Sequence, residues 1–173
     1  MNLKSIIFAL LVTLLPHHQA WSQTEKQDET QLPIEVEADR LHAEDQAGLT
    51  VYQGNVIAKQ GSLTLKGDKI EIRHPNRQLE RMTTTGQPAY FERYLSEQQA
   101  WVKGHADTLI YHTQPRRVEL IGSAYLEQEN QHKIEGDKLV YDLDQQTLNA
   151  VSDQSDGRIK MIITPQKDES ESK

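Results

Sequence analysis

The segment Lys66-Gly67-Asp68-Lys69-Ile70-Glu71-Ile72 recurs along this chain. Glu135-Gly136-Asp137-Lys138-Leu139-Val140-Tyr141 repeats it nearly residue for residue, and Gly104-His105-Ala106-Asp107-Thr108-Leu109-Ile110-Tyr111 is a looser copy. Glu37-Ala38-Asp39-Arg40-Leu41 is a degenerate first copy. Aligned on Asp39, Asp68, Asp107 and Asp137, the copies are spaced by 29, 39 and 30 residues. A second phrase falls between them, as Tyr52-Gln53-Gly54-Asn55-Val56, Gly86-Gln87-Pro88-Ala89 and Ile121-Gly122-Ser123-Ala124-Tyr125. Repetition at this period indicates a stack of similar supersecondary units.

Each unit reads as strands. Ile34/Val36, Leu63/Leu65, Ile70/Ile72, Leu109/Tyr111, Val118/Leu120 and Leu139/Tyr141 alternate at period two with mostly polar partners, so one face of each strand is turned to a core. The Gly-Asp pairs read as turns between strands, since glycine allows positive φ and aspartate bonds its own backbone nearby. The fold class is all-β, a serial path of consecutive antiparallel strands.

Ahead of the repeats, residues 1–22 read as a cleaved signal peptide: Lys4, an apolar run from Ile6 to Leu15, and Ala20-Trp21-Ser22 as the cleavage site. That run falls short of the roughly 20 residues a spanning helix needs. Without it, 18 basic and 26 acidic residues remain, a net charge of −8 that suits neither nucleic acid nor an anionic membrane surface. The chain has no cysteine, so stability rests on sheet hydrogen bonding and packing, as suits a periplasmic or an extracellular destination.

Residues 23–32 are a polar, flexible leader, 33–165 the β domain, and 166–173 a charged, disordered tail. Within the domain, Pro75-Asn76-Arg77 is a hairpin loop, Gly86-Gln87-Pro88 breaks one strand into two, and residues 94–100 form an extended loop. The first strand, Ile34–Glu37, and the last, Arg158–Thr164, have a sequence neighbour on one side only, so both are sheet edges. They are either blunted by Pro33, Lys160 and Pro165, or used to join copies head to tail by strand addition.

The inward set is Ile34, Val36, Leu41, Leu63, Leu65, Ile70, Ile72, Phe91, Leu109, Tyr111, Val118, Leu120, Leu126, Leu139 and Tyr141. It suits a closed sandwich core, or, if the layers are splayed, a groove for acyl chains in which each sheltered methylene contributes roughly 0.8 kcal/mol. Catalytic chemistry is not visible. There is no cysteine nucleophile, no GxSxG, no Gly-rich phosphate loop and no metal-binding histidine spacing, so no enzyme, metal or cofactor is expected. The four repeated aspartates also fit a carboxylate ladder, which leaves a secreted β-solenoid that binds or cleaves polysaccharide as the alternative. Trp101 would be a poor sugar platform alone.

Pro33-Ile34-x-Val36-x-Ala38-Asp39, Tyr52-x-Gly54-Asn55-Val56-x-Ala58-x-Gln60-Gly61, the repeated Asp-x-Ile/Leu strands and Gly86-x-Pro88-Ala89 together resemble the lipopolysaccharide transport proteins with an OstA-type domain, over roughly residues 31 to 165. The resemblance implies a slightly twisted, open β-jellyroll with an apolar groove, a periplasmic location, and a bridge between inner-membrane-anchored and outer-membrane members that carry similar domains. It implies lipopolysaccharide as ligand, no catalysis, and lipid contacts at Ile34, Val36, Ile72, Arg73, Phe91 and Tyr111. Leu65, Leu120 and Tyr141 of the inward set join these as candidate lipid-binding residues, and Arg73 is the candidate for a phosphate. The resemblance also implies head-to-tail self-association, which would run through the first and last strands.

Overall fold

The computed structural model describes residues 29–129, 131–152 and 157–164. The expected signal peptide, most of the leader, and the tail lie outside the described residues. Among the described residues there are ten strands: β1 (Glu35–Glu37), β2 (Arg40–Glu44), β3 (Leu49–Gln60), β4 (Leu63–Arg73), β5 (Arg81–Leu95), β6 (Ala100–Thr113), β7 (Arg116–Gln128), β8 (His132–Asp142), β9 (Thr147–Val151) and β10 (Lys160–Ile163). They form one open antiparallel sheet in the order β1-β3-β4-β5-β6-β7-β8-β10, with β2 also on β3 and β9 also on β8. The meander is serial from β3 to β8, with β1 and β2 both paired to β3 at one end and β9 and β10 both paired to β8 at the other.

The Gly-Asp phrases are not turns between strands. They lie in the middle of strands 11 to 15 residues long and bend them. Gly54 and Asn55 of β3 stand against the single residue Asp68 of β4, and Gly122 and Ser123 of β7 against Asp137 of β8. Two residues facing one is a β-bulge, which kinks the strand. Gly54 (φ 84°) and Gly122 (φ 79°) occupy a region of backbone that favours glycine. A Cβ there would sit 2.3 Å from Asp39 Oδ2 and 2.4 Å from Asp107 Oδ2 respectively. The Asn55 side chain donates to Asp39 Oδ2 at 3.0 Å, the Asp39 backbone amide donates to the Gly54 carbonyl at 3.0 Å, and Ser152 Oγ donates to Asp137 Oδ2 at 2.9 Å. The aspartates repeat because bulges repeat.

Every long strand therefore folds over at its bulge and serves two layers. One contains β1, residues 56–60, 63–66, 89–95, 100–105, 124–128, 132–136 and β10. The other contains β2, residues 49–53, 69–73, 81–85, 108–113, 116–121, 138–142 and β9. Inward parity reverses at the bend in β4, β5, β6 and β8, so Leu63 and Leu65 face the core before it and Ile70 and Ile72 after it, whereas β3 and β7, which carry the extra bulge residue, keep theirs. A period-two reading of each half is correct, while one read through a reversing bend is not.

Other boundaries differ from expectation. Residues 81–95 are one bent strand, not two. The expected loop at 94–100 is a tight turn of residues 96–99: Tyr94 and Leu95 end β5, Ala100 starts β6, and Leu95 is buried. The long 39-residue spacing comes from the loop at 74–80 and the long arms of β5. The end of the polar leader, Glu29–Gln31, is a short 3-10 turn packed on the sheet. The edge strands are shorter than read, at Glu35–Glu37 and Lys160–Ile163.

Candidate functional site

The two layers enclose a single apolar interior whose sides differ. Along one side run the bulges, where the layers are continuous. Along the other, the hairpin turns at 60–63, 95–100 and 128–132 face those at 73–81, 113–116 and 142–147. This second side is a mouth, and polar contacts close it. Arg93 Nη1 donates to the Leu143 carbonyl at 2.7 Å, and Gln98 Nε2 donates to Gln146 Oε1 at 2.5 Å. Behind them the Phe91 and Tyr141 rings meet from opposite layers, centroids 6.4 Å apart.

Of the expected lipid-binding residues, Leu65, Ile72, Phe91, Tyr111, Leu120 and Tyr141 line this interior and are buried, while Ile34 and Val36 are half-buried and pack against its end. Arg73 is not brought into the set. Its neighbour Ile72 points inward, so Arg73 is exposed on the other face of β4. Through the middle of the stack the layers touch, and Leu65, Ile70, Leu109, Leu120 and Leu139 have no solvent exposure. As described, the interior is a packed core there.

At the ends of the stack it is not covered. Leu41 pairs with Tyr52 across β2 and β3 and faces inward with it, yet is 62% exposed. Placing Leu41 in the core was wrong because, among the described residues, this edge strand at the end of a layer has nothing opposite. At the far end Met161 pairs with buried Ile134, and Ile163 with His132; both apolar residues are inward and both lie open, Ile163 at 61%. Among the described residues, six of the eight exposed large hydrophobic ones lie on or beside the terminal strands β2, β9 and β10.

Sequence reasoning missed the basic groups at the mouth. Arg93 and Arg116 occupy ordinary strand positions, and only the fold brings them together. The Arg93 side chain is 10% exposed. Burial pushes the phenols of Tyr111 and Tyr141 above their usual range, with an Arg116 hydrogen bond to Tyr111 and the Arg93 charge pulling both back.

Outside the interior, Tyr94 stacks obliquely on Trp101, and Tyr90, His105 and Tyr125 form a ring ladder. Asp39 and Asp137 are engaged in the bulges. Among the described residues, no three His, Cys, Asp or Glu side chains gather as metal ligands.

An open serial sheet with an apolar interior, kinked at regular bulges, has known counterparts. A family model described as LptA/(LptD N-terminal domain) LPS transport protein matches residues 35–147. The chain belongs to this family. It is 35% identical over 142 residues to the lipopolysaccharide export system protein LptH of Pseudomonas aeruginosa, covering 78% of this chain and 81% of the relative. It is 31% identical over 139 residues to the lipopolysaccharide export system protein LptA of Escherichia coli K12, covering 79% and 74%. The crystal structure of LptH, described as the LptA-homologous periplasmic component of the lipopolysaccharide transport device of P. aeruginosa, superposes with a TM-score of 0.73 at 33% identity, covering 79% of this chain and 99% of that one. The all-β open jellyroll read from the sequence is that fold. Among the described residues no helix is long and apolar enough to cross a membrane.

Proposed function

We propose that the chain carries lipopolysaccharide through the periplasm, sheltering acyl chains between its two layers and stacking head to tail into a bridge. The partners would be further copies and the inner-membrane-anchored and outer-membrane transport proteins with similar domains. The observation that carries this reading is the inward apolar stripe, which runs past the packed centre to Leu41 at one end and to Met161 and Ile163 at the other. A monomer has no use for inward-facing hydrophobic residues with nothing opposite them. A second copy added edge to edge would continue both the strand ladder and the stripe.

Seven inter-strand steps at ~4.8 Å make one copy about 34 Å long, so a bridge would need several copies. The ligand's acyl chains would replace side-chain contacts across the mouth, and every methylene removed from water contributes roughly 0.8 kcal/mol. No group on the chain need do chemistry, and the work of transport would be done elsewhere.

Photo-crosslinking tests the assignment. A photoreactive residue placed at Val36, Phe91 or Tyr111 should capture lipopolysaccharide, and one placed at outward Glu92 or Ile110 should not. Capture confined to the outward positions would reject the interior as the lipid site.

A further inference from the structure

The 3-10 turn Glu29–Gln31 lies across the mouth. The Ser62 amide donates to Glu29 Oε1 at 3.3 Å, and Gln60 Nε2 donates to the Leu32 carbonyl at 3.1 Å, tying residues 29–32 to the turn at 60–63. The second carboxylate oxygen, Glu29 Oε2, is 3.7 Å from Arg93 Nη2 and 3.9 Å from Arg116 Nη2. One buried anionic oxygen thus sits between guanidinium groups from the two layers, too far from either for a hydrogen bond.

That looseness is marked. Ten buried side-chain polar atoms make no hydrogen bond among the described residues, and five of them belong to this cluster: Glu29 Oε2, Ser62 Oγ, Arg93 Nε, Arg116 Nε and Tyr141 Oη. Arg93 Nη1 donates to the Leu143 carbonyl at 2.7 Å and Arg116 Nη1 to Asp144 Oδ1 at 3.0 Å, but the Nε side of each fork is open, and buried polar atoms are ordinarily paired. The geometry suits an anion larger than a carboxylate, one that presents several oxygens and could reach both arginines. A phosphate has that shape, and arginine binds it through two parallel N–H donors.

We infer that Glu29 holds, in the unloaded chain, the seat of a phosphate on the glycolipid, and that Arg93 and Arg116 receive that phosphate when the segment 29–32 lifts from the mouth. The inference rests on the carrier reading above. It adds a headgroup site at the mouth and a carboxylate that competes for it. The acyl chains would lie inside while the phosphate replaced Glu29 between the layers.

The experiment compares binding of lipopolysaccharide and of the same lipid after enzymatic removal of its phosphates, by the wild type, Glu29→Gln and the double variant Arg93→Gln/Arg116→Gln. Removing the competing carboxylate should tighten the phosphorylated lipid by roughly threefold or more and leave the dephosphorylated lipid unchanged. Removing both guanidiniums should weaken the phosphorylated lipid by roughly tenfold or more and again spare the other. Unchanged binding of the dephosphorylated lipid also certifies that each variant is folded, and should the double variant not fold, Glu29→Gln decides alone. Equal effects on the two lipids, or none with Glu29→Gln, would overturn the phosphate site while leaving the carrier reading intact. Binding of neither lipid by the wild type would overturn both. Inorganic phosphate that matches the lipid in raising the melting temperature would assign the seat to the free ion and overturn the headgroup assignment.

Discussion

Met161 and Ile134 stand opposite each other on β10 and β8, yet Ile134 is 8% exposed and Met161 48%. The two share a face of the sheet, and the difference arises because the layer stops at β10. Replacing Met161 and Ile163 together with aspartate should therefore cost the monomer little, about 1 kcal/mol or less. It should abolish any concentration-dependent growth of stacks, since inward charge on an edge opposes strand addition. Sedimentation velocity over a concentration series checks the association, and thermal melts check the fold.

Gly54, inside the bulge of β3, and Gly136, on β8 beside the bulge of β7, should respond oppositely to alanine. Gly54→Ala forces a Cβ into Asp39 at positive φ and should cost roughly 1–3 kcal/mol. Gly136 has its nearest atom at 3.6 Å and an ordinary φ, so Gly136→Ala should be neutral or slightly stabilising. Urea denaturation of the two variants measures both.

Glu119 on β7 gathers Lys138 Nζ at 2.8 Å, His112 Nε2 at 3.0 Å and Arg117 Nη2 at 3.3 Å. Burial pushes its carboxyl up, but the Lys138 hydrogen bond and the charges of Lys138, His112 and Arg117 together bring it below its ordinary 4.5. A carboxyl lowered by folding stabilises fully above the unfolded value, and that contribution is lost as pH falls through the folded one. Glu119→Gln should cost about 1–2 kcal/mol at pH 7, and its deficit should shrink as the pH falls below about 4.5. Melting curves of the two proteins from pH 3 to 8 test the convergence.

Strand identity was legible because each half-strand keeps strict alternation: Leu63/Leu65 and Ile70/Ile72 are both inward, as read. What lay between them was not. A Gly-Asp pair has the same composition in a hairpin turn as in mid-strand opposite a bulge, and only the partner strand decides which it becomes. The error at Leu41 has a different source, since alternation says which way a side chain points but not whether anything covers it. Arg93 and Arg116 were out of reach altogether: they are 23 residues apart, on different strands, and meet only because two kinked layers close at their hairpin ends. Arg73 was expected to meet a phosphate, and the parity of β4 turns it to the outer face.

The carrier reading requires the mouth to open, because the centre of the interior is packed shut in the structure described. The chain has no native cysteine, so Gln98→Cys and Gln146→Cys can be joined across the mouth by a short reducible bis-thiol linker, at the site where Gln98 now bonds Gln146. Lipopolysaccharide binding is then measured on the linked protein and after the linker is cleaved. The linked protein should bind little or no lipid, and cleavage should restore binding. Equal binding with the mouth locked and unlocked would contradict the carrier reading, placing the lipid somewhere other than between the layers.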